Sequence, residues 1–278
     1  MISMNENSVS RKKALLYIVI VGVIAFIAGS FLSDSYSYYE DDSVAGLEDS
    51  CNVLVLSANG ILSTYIPEQT TDDWSDVSSS EYITDGILLA QDDPDIKAVL
   101  LSIESSGGYG VAGEEIANAL KRLDKPSVAV IRGVGASAAY WAATGADKIY
   151  ASKISDVGSI AITASYLDET NKIAKEGYQY TELSSGKYKD LGDTGRPLTA
   201  EERAIVLSDL RKAHDVFVQV VATNRNLEKS EVEKLANGLT YVGTDALSYG
   251  LIDEIGDIAT ATKYLEEQIR EKVELCWY

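Results

Sequence analysis

The 278-residue chain (30.0 kDa) is 46% hydrophobic and 24% charged, enough apolar mass for a buried core and too much for wholesale disorder. Its formal charge of −19 excludes the basic footprint of a nucleic-acid binder and charge-driven docking on an anionic membrane. Two cysteines and one histidine, His214, are too few for a disulfide scaffold or a cysteine-type zinc site, so no metal or other cofactor is expected and any chemistry runs largely without imidazole.

Residues 14–32 (ALLYIVIVGVIAFIAGSFL) carry no charge and span about 28 Å as a helix, close to the thickness of a bilayer's hydrocarbon core. Arg11, Lys12 and Lys13 precede the run; Asp34, Glu40, Asp41, Asp42, Glu48 and Asp49 follow it, with no Lys or Arg among residues 33–50. This asymmetry predicts a single-pass anchor, with residues 1–13 in the cytoplasm and everything after residue 32 outside the cell membrane. A cleaved signal peptide is the alternative. The length of the run and the lack of an A-x-A-like cleavage site favour an uncleaved anchor. Residues 33–50, polar, acidic and tyrosine-rich, read as a stalk.

From residue 51 onward, apolar runs alternate with helical patterns. Residues 52–62 read as a strand and 80–92 as a helix with Ile83, Ile87, Leu88 and Leu89 at helical spacing. The short run 97–103 has the character of a strand buried in a parallel sheet. A Gly-bearing turn at 104–110 leads into a helix over 111–123. Strands are predicted at 127–131, 147–151, 158–163 and 178–183, and helices near 138–145 and over 166–176. After a polar loop a long helix starts at Thr199, with Glu202 closing a capping box. The alternation predicts an α/β peptide chain with a mainly parallel sheet as one domain over 51–270, followed by a tail at 271–278.

Two places break the packing pattern. In IESSGGYG (103–110) the adjacent Gly107 and Gly108 end a strand before a helix, where backbone N–H groups can approach developing negative charge. A phosphate loop uses similar parts, but its lysine and hydroxyl are missing. In RGVGASAAYWAATGADKIY (132–150) a strand runs through Gly133 and Gly135 to Ser137 and then a helix of small residues. Strand, sharp turn, serine, helix is the geometry of a nucleophile elbow; Ser137 as a plain helix N-cap is the alternative. A serine nucleophile needs a base. His214 lies inside the long helix without an evident carboxylate to orient it, which suits a packed or half-exposed helix residue. Lys187 and Lys189 in SSGKYKDLGD (184–193) are the other candidates. A lysine base has to be neutral, which takes a pKa lowered from about 10.4 by roughly three units through burial.

The ordered motifs carry a resemblance. The Gly107-Gly108 loop, GASAAYWAATGADKIYA (135–151), a GSI strand (158–160), SGKYKDLG (185–192) and GLTYVGTDALSYGLIDEIG (238–256) together resemble signal peptide peptidase A. These are serine-lysine membrane peptidases related to the Clp protease and crotonase folds. The resemblance runs from about Cys51 to Tyr264. It implies Ser137 as nucleophile, Lys189 as general base, Ser159 as a hydroxyl that positions the lysine, and an oxyanion hole from Gly107 and Gly108 with the backbone at Ala138.

Two positions depart from the family pattern. Ser106 stands where the family has proline before the two glycines. Ala138-Ala139 replaces the Gly-Gly that follows the nucleophile, which costs about 1 kcal/mol or more if those positions need positive φ. The resemblance further implies a ring-like homo-oligomer in which one protomer's lysine serves its neighbour's serine. Its implied substrates are remnant signal peptides and other short apolar peptides at the lipid bilayer. Tyr140, Trp141 and residues 158–165 are the expected lining of an apolar pocket. A Ser-Lys protease acting on a stomatin-like partner, or a non-catalytic crotonase-like scaffold, are the alternatives. Cys51 and Cys276 either pair outside the cytoplasm or stay unpaired.

Overall fold

Four consecutive residues of the first strand, Val53 to Leu56, are buried, as are Ala98 to Ile103 and Ser127 to Ile131 of two later ones. Continuous burial of this kind, in place of alternation, marks strands covered on both faces. In the computed structural model, which describes residues 51–66 and 76–278, they form the centre of one sheet. The strands are β1 (Val53–Ser63), β2 (Val77–Ser79), β3 (Ala98–Gly108), β4 (Ser127–Ala136), β5 (Lys148–Ala151), β6 (Asp156–Gly158), β7 (Thr240–Val242), β8 (Glu254–Ile255) and β9 (Leu275–Trp277). The helices are α1 (Ser80–Asp92), α2 (Gly110–Arg122), α3 (Ala138–Ala143), α4 (Thr170–Lys175), α5 (Ala200–Arg225), α6 (Lys229–Leu235), α7 (Gly243–Ser248) and α8 (Ile258–Ile269).

The main path of the sheet is β2-β1-β3-β4-β5-β8, with every neighbouring pair parallel. Parallel neighbours need a crossover connection, and α1 lies between β1 and β3, α2 between β3 and β4, and α3 between β4 and β5 in the chain. The α8 side of the sheet is closed by Ala261 and Leu265, which pack with Val53, Val55, Leu100, Val128, Val130 and Tyr150. α1 and α2 pack on each other and on β1 and β3. β4 changes partner along its length: Val128–Ile131 pair with β5, whereas Val134–Ala136 pair with β6. β6 in turn pairs antiparallel with β7. The mixed α/β fold with a mainly parallel sheet therefore agrees with the sequence pattern.

The differences are local. Residues 104–108 and 132–136, expected as turns, continue β3 and β4. The strand expected at 158–163 ends at Gly158, and the helix expected over 166–176 contracts to α4. Residues 178–183 form no strand, because no neighbouring strand offers them a partner. Residues 271–278, expected to trail from the domain, supply β9, which pairs parallel with Val53–Val55. A disulfide joins Cys51 to Cys276 with 5.5 Å between Cα atoms, and Tyr278 stacks on Tyr82 at 4.6 Å between ring centroids. The expected anchor (14–32) and stalk (33–50) lie outside the described residues; among those described, no helix is long and apolar enough to cross a membrane.

Candidate active site

The C-terminal end of β4 carries the serine singled out above. Once β4 has moved from β5 to β6, the chain reverses at Ser137, with φ 54° and ψ −124°, and enters α3. Positive φ is strained for a residue with a side chain, at about 1–3 kcal/mol, and such strain concentrates at functional turns. Ser137 N–H donates to Gly158 O at 2.7 Å, and Ser137 O accepts from Trp141 N–H at 2.9 Å, so backbone bonds hold the turn from both sides. The hydroxyl caps nothing although Ser137 stands at the N-cap position. The half-buried side chain is thus left for another use, and the capping alternative fails.

α3 seats this turn by close packing. All six of its residues are buried. Gly113 on α2 has no room for a Cβ, which would stand 2.2 Å from Ala138 O. Ala138 and Ala139 are helical, and neither has positive φ. The strained conformation falls on Ser137 itself, so the two alanines fit without the penalty anticipated for them. Tyr140 and Trp141 do not line a pocket. Tyr140 is fully buried and donates to Leu251 O at 2.8 Å, and burial pushes its hydroxyl pKa far up; Trp141 stacks on Phe217 at 4.6 Å. Their large rings read as pocket lining in sequence, but they anchor α3 in the core.

The end of β3 lies against Ser137. Gly107 (φ 106°) and Gly108 (φ 157°) both adopt backbone that L residues rarely take. A Cβ at Gly107 would stand 2.8 Å from Ser137 Cβ and 3.1 Å from Ala138 N. Gly107 N–H donates to Ser105 Oγ at 3.0 Å, and that hydroxyl donates to Gly60 O at 2.6 Å. Buried Ser105, passed over in the sequence, therefore fixes the glycine loop; its only signal was its place directly before Ser106-Gly107-Gly108. Tyr109 N–H bonds to Leu62 O on β1. Ala138 N–H, the first amide of α3, donates to no acceptor among the described residues. Free amides at a helix start favour negative charge.

Ser159 follows with φ 52°. Its N–H donates to Leu239 O at 2.9 Å and its hydroxyl to Gly238 O at 3.1 Å. Gly107, Gly108, Ser137, Ala138 and, through Gly158, Ser159 are thus brought to one edge of the sheet.

Lys189 is not bonded to Ser137 and lies in the segment 161–199, an arm without β-strands. It is exposed, and its ammonium makes no hydrogen bond or ion pair among the described residues. The arm is tied to the start of α5. Arg196 donates both terminal nitrogens to Glu202, at 2.9 and 2.7 Å, its Nε to Glu182 at 2.7 Å, and Nη2 to Asp190 O at 3.4 Å. Glu202 is 3% exposed and closes the capping box with Thr199. The Arg196 guanidinium, with help from Thr199 N–H, holds the Glu202 carboxyl down at about 2. Lys187 and Tyr188 both donate to Glu201, and these bonds hold the Glu201 carboxyl below its usual range. His214 is a half-exposed helix residue whose Nε2 lies 3.0 Å from Ala236 O. Among the described residues no cluster of His, Cys, Asp or Glu could hold a metal ion. A cleft of about 570 Å³ between α1 and α2, lined by Glu81, Leu88, Glu115 and Arg122 among others, contains none of the residues named as site candidates.

Comparison with known proteins gives the family. The chain is 37% identical over 177 residues to a protease-named protein of Methanocaldococcus jannaschii, covering 63% of this chain and 57% of that one. It is 33% identical over 181 residues to a protein of Enterococcus faecium that bears the name signal peptide peptidase, covering 64% and 53%. The chain thus spans little more than half the length of these curated relatives. Among solved structures, a mutant of a membrane-bound stomatin-specific protease superposes with a TM-score of 0.52 at 14% identity, over 82% of this chain and 98% of that one, a likeness of fold. The model of peptidase family S49 matches residues 119–272, more than half of the chain and a span that includes Ser137, Ser159 and Lys189. The chain belongs to peptidase family S49, the family of signal peptide peptidase A.

Proposed function

We propose that the protein is a membrane-anchored serine endopeptidase with a Ser137–Lys189 dyad, acting on short apolar peptides such as cleaved signal peptides. One observation carries the reading: a strained, uncapped serine at the end of a parallel strand, backed by Gly107 and beside the unspent first amide of a buried helix. Neutral Lys189 takes the proton from Ser137 Oγ, which attacks the peptide carbonyl. The N–H groups of Ala138 and Gly108 face the oxyanion, with Gly107 giving the space. The lysine's proton passes to the departing amine, and water then releases the acyl group, regenerating the hydroxyl. Ser159 would steady the lysine once it enters the site.

The dyad is proposed to form between protomers. In the single chain Lys189 is exposed, whereas a lysine base has to be desolvated; a second copy would supply that burial. Two observations support this. Of α5's first seventeen residues, 200–216, only Glu202 is buried, and α4 buries none. The arm also exposes Leu167, Tyr178 and Leu183, apolar surface suited to a partner. A single-pass anchor at 14–32, with its N-terminus in the cytoplasm, would place the domain outside the cell membrane, and the Cys51–Cys276 disulfide fits such an oxidising compartment.

Hydrolysis of a fluorogenic apolar peptide tests the reading. Ser137→Ala and Lys189→Ala should each lower kcat by about 10³-fold or more, and full activity in either variant overturns the dyad. A second reading, cleavage of a stomatin-like partner, is suggested by the fold neighbour, a stomatin-specific protease. Recovery of such a protein on Ser137→Ala, together with no cleavage of short peptides by the wild type, would favour it.

A further inference from the structure

Lys189 is the middle residue of a stretch whose neighbours are all tied to one helical turn. Before it, Lys187 and Tyr188 donate to Glu201; after it, Asp190 O accepts from Arg196, which is held in turn by Glu202. Glu201 and Glu202 occupy the first turn of α5. The lysine between these attachments is the side chain left without a partner among the described residues. A loop held on both sides of one residue projects that residue in a fixed direction.

The two attachments differ in quality. Lys187 and Glu201 are more than half exposed, and ion pairs of that kind hold weakly. Arg196 is a planar fork that meets Glu202 bidentately, and Glu202 is almost fully buried and committed by two further bonds to Thr199. The same guanidinium reaches Glu182 through Nε, and the Arg196 carbonyl accepts from Tyr166 Oη. One side chain therefore joins three parts of the arm: residue 182 before the lysine, residue 190 after it, and the start of α5. Such a fork cannot be replaced by a point charge.

We propose that Arg196 and Glu202 are positioning residues that present Lys189 to the site. The proposal rests on the Ser-Lys reading of the preceding subsection. Neither residue touches the reacting atoms; they act through the loop. A base displaced by about 1 Å can cost on the order of 10²-fold in rate, so the effect belongs in kcat and not in substrate affinity.

The experiment compares full-length wild type with Arg196→Lys, Arg196→Ala, Glu202→Gln and Lys189→Ala in the same peptide assay. Thermal melting of each is read in parallel. Glu202→Gln keeps a side chain able to close the capping box while removing the charge that Arg196 grips, which separates presentation of the lysine from folding of α5. Expected is a fall in kcat of about 10- to 100-fold in Arg196→Lys and Glu202→Gln, with KM within about twofold and the melting temperature near wild type. Wild-type kcat in Arg196→Ala beside an inactive Lys189→Ala overturns the clamp and leaves the dyad standing. A fully active Lys189→Ala overturns the dyad, and the clamp with it. A loss of activity that tracks melting temperature across the variants also overturns the clamp, since it assigns the pair to folding alone.

Discussion

A methyl group added at Gly107 would stand 2.8 Å from Ser137 Cβ, so the end of one parallel strand is the back wall of the serine on the next. Gly107 also holds φ at 106°, where alanine is strained whatever the space. Gly107→Ala should lower kcat by at least about 10²-fold and cost roughly 2 kcal/mol of stability. Ala138→Gly should bring no gain: Ala138 already takes helical backbone without positive φ, and glycine there only adds conformational freedom to lose on folding. Denaturant midpoints and peptide kinetics of the two variants check both statements; a more stable Ala138→Gly protein would contradict the helical reading.

A dyad shared between copies makes a prediction that one chain cannot satisfy. Ser137→Ala and Lys189→Ala proteins, each inactive alone, should recover activity when dissociated and reassembled together. Equal mixing in a ring leaves about a quarter of the interfaces with both wild-type residues, given random assembly. No recovery, with assembly verified by sedimentation, would place both residues of the site within one chain.

Acid should loosen the arm before other parts of the domain feel the loss of the Arg196–Glu202 pair. The Glu202 carboxyl sits at about 2 in the folded protein, below its ordinary 4.5. Its contribution is fully present above about 4.5 and is lost as the pH falls toward 2. Limited proteolysis within residues 161–199 should therefore accelerate across that window. In Glu202→Gln the acid response should be clearly smaller than in the wild type, the remainder coming from Glu201 and Glu169, whose carboxyls are also held below their usual range; a wild-type acid profile in that variant would show that Glu202 does not govern the response.

The disulfide between Cys51 and Cys276 closes a sequence separation of 225 residues. Removing a link of this span is expected to cost about 2–5 kcal/mol. The Cys51→Ser protein should melt several degrees lower than wild type while keeping its kcat, because Ser137 lies at the opposite end of the strands. An unchanged melting temperature would show that the ladder between β1 and β9 suffices by itself.

The formal charge of −19 sets an electrostatic response of its own. Mutual repulsion of surface carboxylates opposes compaction at low ionic strength, and at about 1 M salt the screening length shrinks to roughly 3 Å. The melting temperature should climb by several degrees between about 0.05 and 1 M sodium chloride. A flat response would mean that the negative groups are already neutralised locally by the ion pairs.

What could be read in advance follows the range of the interactions involved. Thr199 and Glu202 announced the start of α5 because a capping box is complete within four residues. Ser137 was legible because an elbow needs its strand, turn and helix in sequence. The continuation of β4 past residue 131 was hidden by Gly133 and Gly135, which look like turn residues. What carries the strand on is pairing with distant segments: Gly135 pairs with Ser105 of β3, and Val134–Ala136 pair with β6. The strand expected at 178–183 had suitable residues but no partner, and pairing is a property of two segments. Tyr140 and Trp141 were misread because a large ring looks alike in sequence whether it faces a groove or Phe217.

The disulfide also sets how the domain would bear a pull. Residue 51 is the point at which the chain leaves the preceding acidic segment, and β1 begins two residues later. Tension applied to the chain ahead of residue 51 would, without the bridge, peel β1 away one hydrogen bond at a time, starting from the end nearest the load. With Cys51 fixed to Cys276, the force enters β9 at the same moment and is spread over two adjacent parallel strands loaded in shear. The strand that carries Gly60, to which Ser105 ties the glycine loop, would thereby be shielded from a load applied ahead of residue 51.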